Sequence, residues 1–117
     1  MRTLPRACLL ATATAALAAP PVIERITADP GPDGWRFDVT LSHPDSGGTH
    51  YADAWRVLDR DGNELGLRVL HHPHVTEQPF TRSLGGAQTP QGTQQVQVQA
   101  RCLVHGWATP PTIYALP

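Results

Sequence analysis

The sequence predicts an all-β fold: a seven-stranded antiparallel β-sandwich, in one domain that follows an N-terminal signal peptide. Apolar and polar residues alternate with period two in several short segments, as they do in half-buried strands. The 12 prolines and 10 glycines among 117 residues favour turns over long helices. About seven short strands in about a hundred residues is the pattern of a two-sheet sandwich.

Residues 1–18 are interpreted as a secretory signal peptide. Two arginines charge the start, residues 7–19 carry no charge, and Ala16-Leu17-Ala18 has the small-x-small pattern of a cleavage site. The apolar run is too short to span a membrane, and Cys8 does not follow it but lies near its start. We therefore expect a secreted or periplasmic protein with a single domain at 19–117, and neither a lipid anchor nor stable membrane insertion after cleavage.

The clearest strand is WRFDVTLS at 35–42, where apolar and polar residues alternate throughout. The segment VQVQARCLV at 96–104 repeats this pattern and places Cys102 on the apolar face. Between them, residues 52–70 form a predicted hairpin that turns at Asp59–Asn63. The expected strands are 22–28, 35–42, 52–58, 64–70, 79–84, 93–104 and 112–116. The expected core residues are Trp35, Phe37, Val39, Trp55, Val57, Leu67, Val69, Val96 and Val98.

This strand order resembles that of fibronectin type III and immunoglobulin-like domains. The resemblance covers nearly all of the chain after residue 18 and depends on the number and spacing of the strands. It implies that the loops after the second, fourth and sixth strands meet at one end of the sandwich. The stretch HPHVTEQPFTRS at 72–83 is also similar to one found in small uncharacterised secreted bacterial proteins, a likeness that implies secretion and no particular activity.

All six histidines lie in or beside those three loops, which makes their shared end a candidate metal site. If the chain stays extended after Leu70, His72 and His74 point to one side about 6.5–7 Å apart, a separation at which two imidazoles can bind one cation. Three nitrogen ligands, or two with a carboxylate, suit Zn²⁺ or Cu²⁺. The candidate ligands are His72, His74, His105, His50, His71 and Glu77.

Other functions stay open. The histidine-rich loop can be a structural part of a non-enzymatic module that binds a protein partner. Alternatively, Cys102 and His105 have the spacing of blue-copper ligands, so a cupredoxin-like copper protein is a further hypothesis. A formal charge of -1 gives no reason to expect nucleic acid. No serine lies in a nucleophile motif, and Cys102 is expected to be buried, so we do not expect an enzyme.

Overall fold

The computed structural model describes residues 19–117, and the predicted signal peptide lies outside the described residues. This part of the chain is all-β, and none of its segments is a helix long and apolar enough to cross a membrane. Its strands are β1 (Val22–Gly31), β2 (Gly34–Ser42), β3 (Ala52–Leu58), β4 (Glu64–Val69), β5 (Phe80–Ala87), β6 (Gln95–Cys102), β7 (Gly106–Trp107) and β8 (Thr112–Ala115).

The strands form two antiparallel sheets. One sheet has the order β1-β2-β5, and the other has the order β4-β3-β6, with β7 and β8 both pairing with β6. The all-β, two-sheet prediction is confirmed, but residues 19–117 contain eight strands and not seven. The additional strand is β7, which forms because the chain turns back after Cys102 and pairs with the end of β6.

The core lies between the two sheets and is built from the inward faces of β2, β3 and β6. Apolar and polar residues alternate along these strands, so the apolar side chains point to one side of each sheet and are buried there. The residues with no exposed surface include Phe37, Val39, Leu41, Trp55, Val57, Val96 and Val98. Trp35 packs against this cluster while partly buried. The prediction for the central strands is therefore confirmed.

The predicted inward face of β4 is wrong. Leu67 and Val69 were expected in the core but are 39% and 40% exposed. In the register of the hairpin, Val57 lies opposite Gly66, and Arg56 lies opposite Leu67. Residues opposed across antiparallel strands share a face, so Val57 brings Gly66 to the core and leaves Leu67 on the outer surface.

An irregularity in β3 changes which residues face inward. Ala52 pairs with Cys102 and Ala54 pairs with Arg101, so Asp53 has no partner in this ladder. An extra residue of this kind is a β-bulge. The Asp53 carboxylate accepts a hydrogen bond from Arg101 Nε at 2.9 Å. As a result, Ala52 lies beside Cys102 at the end of the core, and both residues are fully buried.

Candidate metal centre

Two histidines and the cysteine meet at one end of the sandwich because each continues an inward-facing alternation. His43 follows the buried Leu41 by two residues and is only 3% exposed. Cys102 is the last inward residue of β6 and is fully buried. His50 precedes the buried Ala52 by two residues and is half-buried. All three therefore face the end of the core, although they lie far apart in the sequence.

The three side chains offer metal-ligand atoms in one small volume. One ligand atom each of His43, His50 and Cys102 lies within 4.8 Å of the other two. The two imidazole rings are 4.9 Å apart between centroids and meet edge to face at 78°. The Nε2 atoms of both rings are buried and have no hydrogen-bond partner among residues 19–117. Buried polar atoms rarely lack a partner, so these two nitrogens are available to bind an ion.

Asp45 holds the first of these histidines in place. Its Oδ1 atom is 2.6 Å from His43 Nδ1 and also accepts a hydrogen bond from the backbone N of Ala52 at 2.9 Å. Its Oδ2 atom accepts a hydrogen bond from the backbone N of His74 at 2.8 Å. A carboxylate on one ring nitrogen orients an imidazole whose other nitrogen binds a metal. The side chains of Asp45 and His43 are both fully buried.

The ligands predicted from the sequence divide into those near this cluster and those in the loop at 71–79. His50 belongs to the cluster itself. His105 is exposed on the turn after β6, and its ring centroid lies 5.9 Å from that of His50. The rings of His72 and His74 lie 4.9 Å apart in the loop. The loops after β2, β4 and β6 therefore do meet at one end, as the predicted topology required.

The ring of His74 is held by Phe80 and Arg82. It stacks on Phe80 with centroids 4.0 Å apart and an angle of 13° between the planes. Arg82 Nη2 lies 2.9 Å from His74 Nε2, and because a guanidinium only donates, this nitrogen is the acceptor. The pKa of His74 is lowered from its ordinary value of 6.5, first by burial and then by the positive charges of Arg82 and His72. Nε2 of His74 is thus occupied by a protein partner.

The other two predicted ligands are exposed on the same loop. Glu77 forms an ion pair with Arg82, with 3.0 Å between Oε1 and Nη2. His71 is exposed at the start of the loop, next to the buried Leu70. That His71, His72, His74, His105 and Glu77 bind metal stays a prediction.

His43 was absent from the ligands predicted from the sequence, and Cys102 was named only in the cupredoxin-like hypothesis, together with His105. The period-two pattern carried the information, since it places His43 on the face of Val39 and Leu41, and Cys102 on the face of Val98. His50 cannot be placed in the same way, because strict alternation back from Trp55 turns it outward. The bulge at Asp53 reverses that alternation and brings His50 to the inner side.

Comparison with known proteins gives a partial relative. No family model matches the chain, and no solved structure matches it. A protein of Halomicrobium mukohataei named "Putative lipoprotein" is 45% identical over 71 residues. The match covers 61% of this chain and 34% of the relative, so it spans about a third of that protein's length. The chain is therefore similar to part of a putative lipoprotein.

Proposed function

We propose that this protein binds one transition-metal ion, zinc or copper, between His43, His50 and Cys102. The observation that carries the proposal is the approach of three ligand atoms to within 4.8 Å, with both imidazole Nε2 atoms buried and unpaired. The proposal keeps the metal and the end of the sandwich expected from the sequence. It replaces most of the ligand set, and His50 is common to both sets.

The donor set supports both metals and favours copper. Zinc and copper bind imidazole nitrogen and thiolate sulfur, with zinc bonds of about 2.0–2.3 Å. Ligands of a tetrahedral ion at such bond lengths stand about 3.3–3.8 Å apart, so ligand atoms within 4.8 Å of one another have to approach by at most about 1–1.5 Å. Two histidines and one cysteine form the trigonal set of many copper sites, and copper is generally bound more tightly than zinc. Copper is therefore expected to compete with zinc, and His105 is the candidate for a fourth ligand.

The proposed role is binding, not catalysis. A nucleophilic thiol needs an exposed, electropositive setting, whereas Cys102 is fully buried. A bound metal also fits the needs of a small domain. Apart from Cys8, Cys102 is the sole cysteine of the chain, so a disulfide within residues 19–117 cannot stabilise the fold. A structural metal can supply stability in its place.

The sheet orders and the relative support a scaffold and a location for this site. The orders β1-β2-β5 and β4-β3-β6, with β8 beside β6, agree with a fibronectin type III-like sandwich. The relative's name, putative lipoprotein, supports an envelope or extracellular location. We propose a secreted or periplasmic domain of this class. The expected signal peptide and the expected lack of a lipid anchor both concern residues 1–18 and stay predictions.

Calorimetric titration with Zn²⁺ and Cu²⁺ tests the metal site. The full chain should bind one ion, and Zn²⁺ at a hundred times its Kd should raise the free energy of unfolding by about 2.7 kcal/mol. Cys102→Ala and His50→Ala should abolish binding, whereas the double variant H72A/H74A should retain it. Cu²⁺ should also produce a thiolate-to-copper absorption band that Cys102→Ala lacks. Loss of binding only in H72A/H74A would place the metal in the 71–79 loop and contradict the proposal.

A second candidate function is supported by the outer surface of β4. Leu67 and Val69 are exposed on this strand, which forms an edge of its sheet among residues 19–117. Edge strands with apolar side chains can bind an extended peptide segment of a partner. If neither metal binds, a protein-interaction module is the better function. Leu67→Arg should then reduce the recovery of a protein that copurifies with the wild type from the producing cell.

A further inference from the structure

The loop at 71–79, called here the histidine loop, is joined to the candidate metal centre by a closed ring of hydrogen bonds. His43 Nδ1 contacts Asp45 Oδ1 at 2.6 Å, and Asp45 Oδ2 accepts from the backbone N of His74 at 2.8 Å. Gln78 Nε2 then donates to the backbone O of His74 at 2.8 Å. Finally, the backbone N of His43 donates to Gln78 Oε1 at 3.0 Å. The ring begins and ends at a proposed metal ligand.

Besides this ring, the histidine loop is held by Arg82, which contacts His74 and Glu77, and by the stack of His74 on Phe80. Its residues are exposed except for Pro73 and His74. Within residues 19–117, the backbone-to-backbone hydrogen bonds of the turns and loops all lie outside 71–79. Segments with few buried contacts and few backbone bonds open locally at low free energy. The position of the loop therefore depends mainly on His74: its backbone is held by Asp45 and Gln78, and its ring by Arg82 and Phe80.

We infer that metal binding and ordering of the histidine loop are coupled through Asp45, an inference that rests on the proposed function. A neutral imidazole carries its proton on either nitrogen. Asp45 Oδ1 already accepts from His43 Nδ1–H without metal, and a metal on Nε2 withdraws electron density from the ring and makes this N–H a stronger donor. The carboxylate is then fixed, and its second oxygen holds the backbone N of His74. Asp45 thus acts as a positioning residue for the ligand and as the anchor of the loop.

Coupling between two sites is reciprocal, so an ordered loop must raise the affinity for metal by the same factor. Gln78 is the residue that reveals this effect. Within residues 19–117, its side-chain hydrogen bonds go to the backbone of His43 and of His74, and it lies on the exposed loop. Removal of the Gln78 side chain therefore loosens the loop without touching a proposed ligand atom. Thr76 is also exposed on the loop and makes none of these bonds, so Thr76→Ala is the matched control.

Amide hydrogen exchange of the full chain, with and without Zn²⁺, measures the first half of the coupling. We expect Zn²⁺ to slow exchange at the His74 amide by about 5- to 150-fold, the range of typical coupling free energies. The comparator is the Asn63 amide, which donates to Asp59 in the distant β3–β4 turn and should change less. Equal slowing at both amides would show only general stabilisation of the folded state and would overturn the inference.

Calorimetric titration of the variants measures the second half. Gln78→Ala should weaken Zn²⁺ binding by a factor similar to the slowing at His74, and Thr76→Ala should not. If Zn²⁺ binds normally but Gln78→Ala matches Thr76→Ala, the coupling is refuted while the metal site stands. If neither Zn²⁺ nor Cu²⁺ binds the wild type, the metal site itself is refuted, and the inference falls with it.

Discussion

Two aspartates, Asp45 near the start of β3 and Asp59 just after its end, each accept several hydrogen bonds, but from partners at different distances along the chain. Asp45 accepts hydrogen bonds from the ring of His43 and from the backbone N of Ala52 and of His74. Asp59 accepts from the backbone N of Asp61 and from the backbone N and side-chain Nδ2 of Asn63. The bonds of Asp59 stay within one turn, whereas those of Asp45 join two loops and the start of a strand.

The hydrogen bonds of Asp59 are local, whereas those of Asp45 are tertiary contacts. The Asp59 bonds form as soon as the turn closes and stay in contact with water, so the rest of the fold depends little on them. The Asp45 carboxylate is fully buried, and its bonds require three segments of the chain to be in place. A buried acceptor with several donors contributes most to stability when all the donors are paired. Each buried donor that loses its acceptor adds its own desolvation cost.

The largest expected effect is that of Asp45→Ala. This change leaves three buried donors without their acceptor, and each such donor costs about 1–3 kcal/mol, so the loss should be about 3 kcal/mol or more. Urea unfolding of the full chain, in the presence of a chelator, measures it without any contribution from metal. A loss below about 1 kcal/mol would mean that water replaces the carboxylate and that the two aspartates are equivalent.

A second test concerns the pKa of His74, whose backbone N donates a hydrogen bond to Asp45. Its pKa is lowered below 6.5 by burial and by the charges of Arg82 and His72, against the smaller opposing effects of Glu77 and Asp45. Its neutral form therefore stabilises the fold above about pH 6.5, and this contribution is lost as the pH falls through the lowered pKa.

An NMR titration of the His74 ring measures this pKa directly. The value should lie below 6.5 in the wild type and rise in Arg82→Gln, because that variant removes the largest of the charges that lower it. Arg82→Lys keeps the positive charge and serves as the control. A wild-type value at or above 6.5 would contradict the environment described for this ring.

The smallest expected effect is that of Asp59→Ala. The loss of stability should be clearly less than for Asp45→Ala, with Asp61→Ala as the matched control in the same turn. Hydrogen bonds from Asn63 hold the pKa of Asp59 below 3.8, so its contribution is present above about pH 3.8 and is lost as the pH falls through the lowered value. Urea midpoints at pH 7 and pH 3 test both points. Equal losses for Asp59→Ala and Asp45→Ala at pH 7 would remove the contrast.

The same contrast explains how much the sequence could predict. The turn at Asp59–Asn63 is encoded by adjacent residues, and its prediction is confirmed. The buried faces of β2 and β6 follow from period two alone. The candidate metal centre, however, depends on the register between β3 and β6 and on a bulge in β3. Neither leaves a local pattern, so the sequence places His43 and Cys102 on inward faces but cannot bring His50 to them.

The face of β4 shows the same limit on a smaller scale. Leu65, Leu67 and Val69 alternate as a core-facing strand does, yet the register with β3 turns Leu67 and Val69 outward. Alternation shows that a strand has two different faces. Which face is buried depends on the neighbouring strand, and here a glycine takes the inward position opposite Val57.

The bulge at Asp53 shifts the alternation of inward and outward residues along β3 by one position. Before it, the inward residues have even numbers, as Ala52 does, and after it they have odd numbers, as Trp55 and Val57 do. Deletion of Asp53 would remove the extra residue and keep His50 on the inner side, because a regular strand that runs back from Trp55 would then reach Ala52 and His50 at inward positions. If Asp53 instead took part in regular pairing, Tyr51 would turn toward the core and His50 toward solvent, so the place of His50 in the three-ligand cluster depends on the bulge.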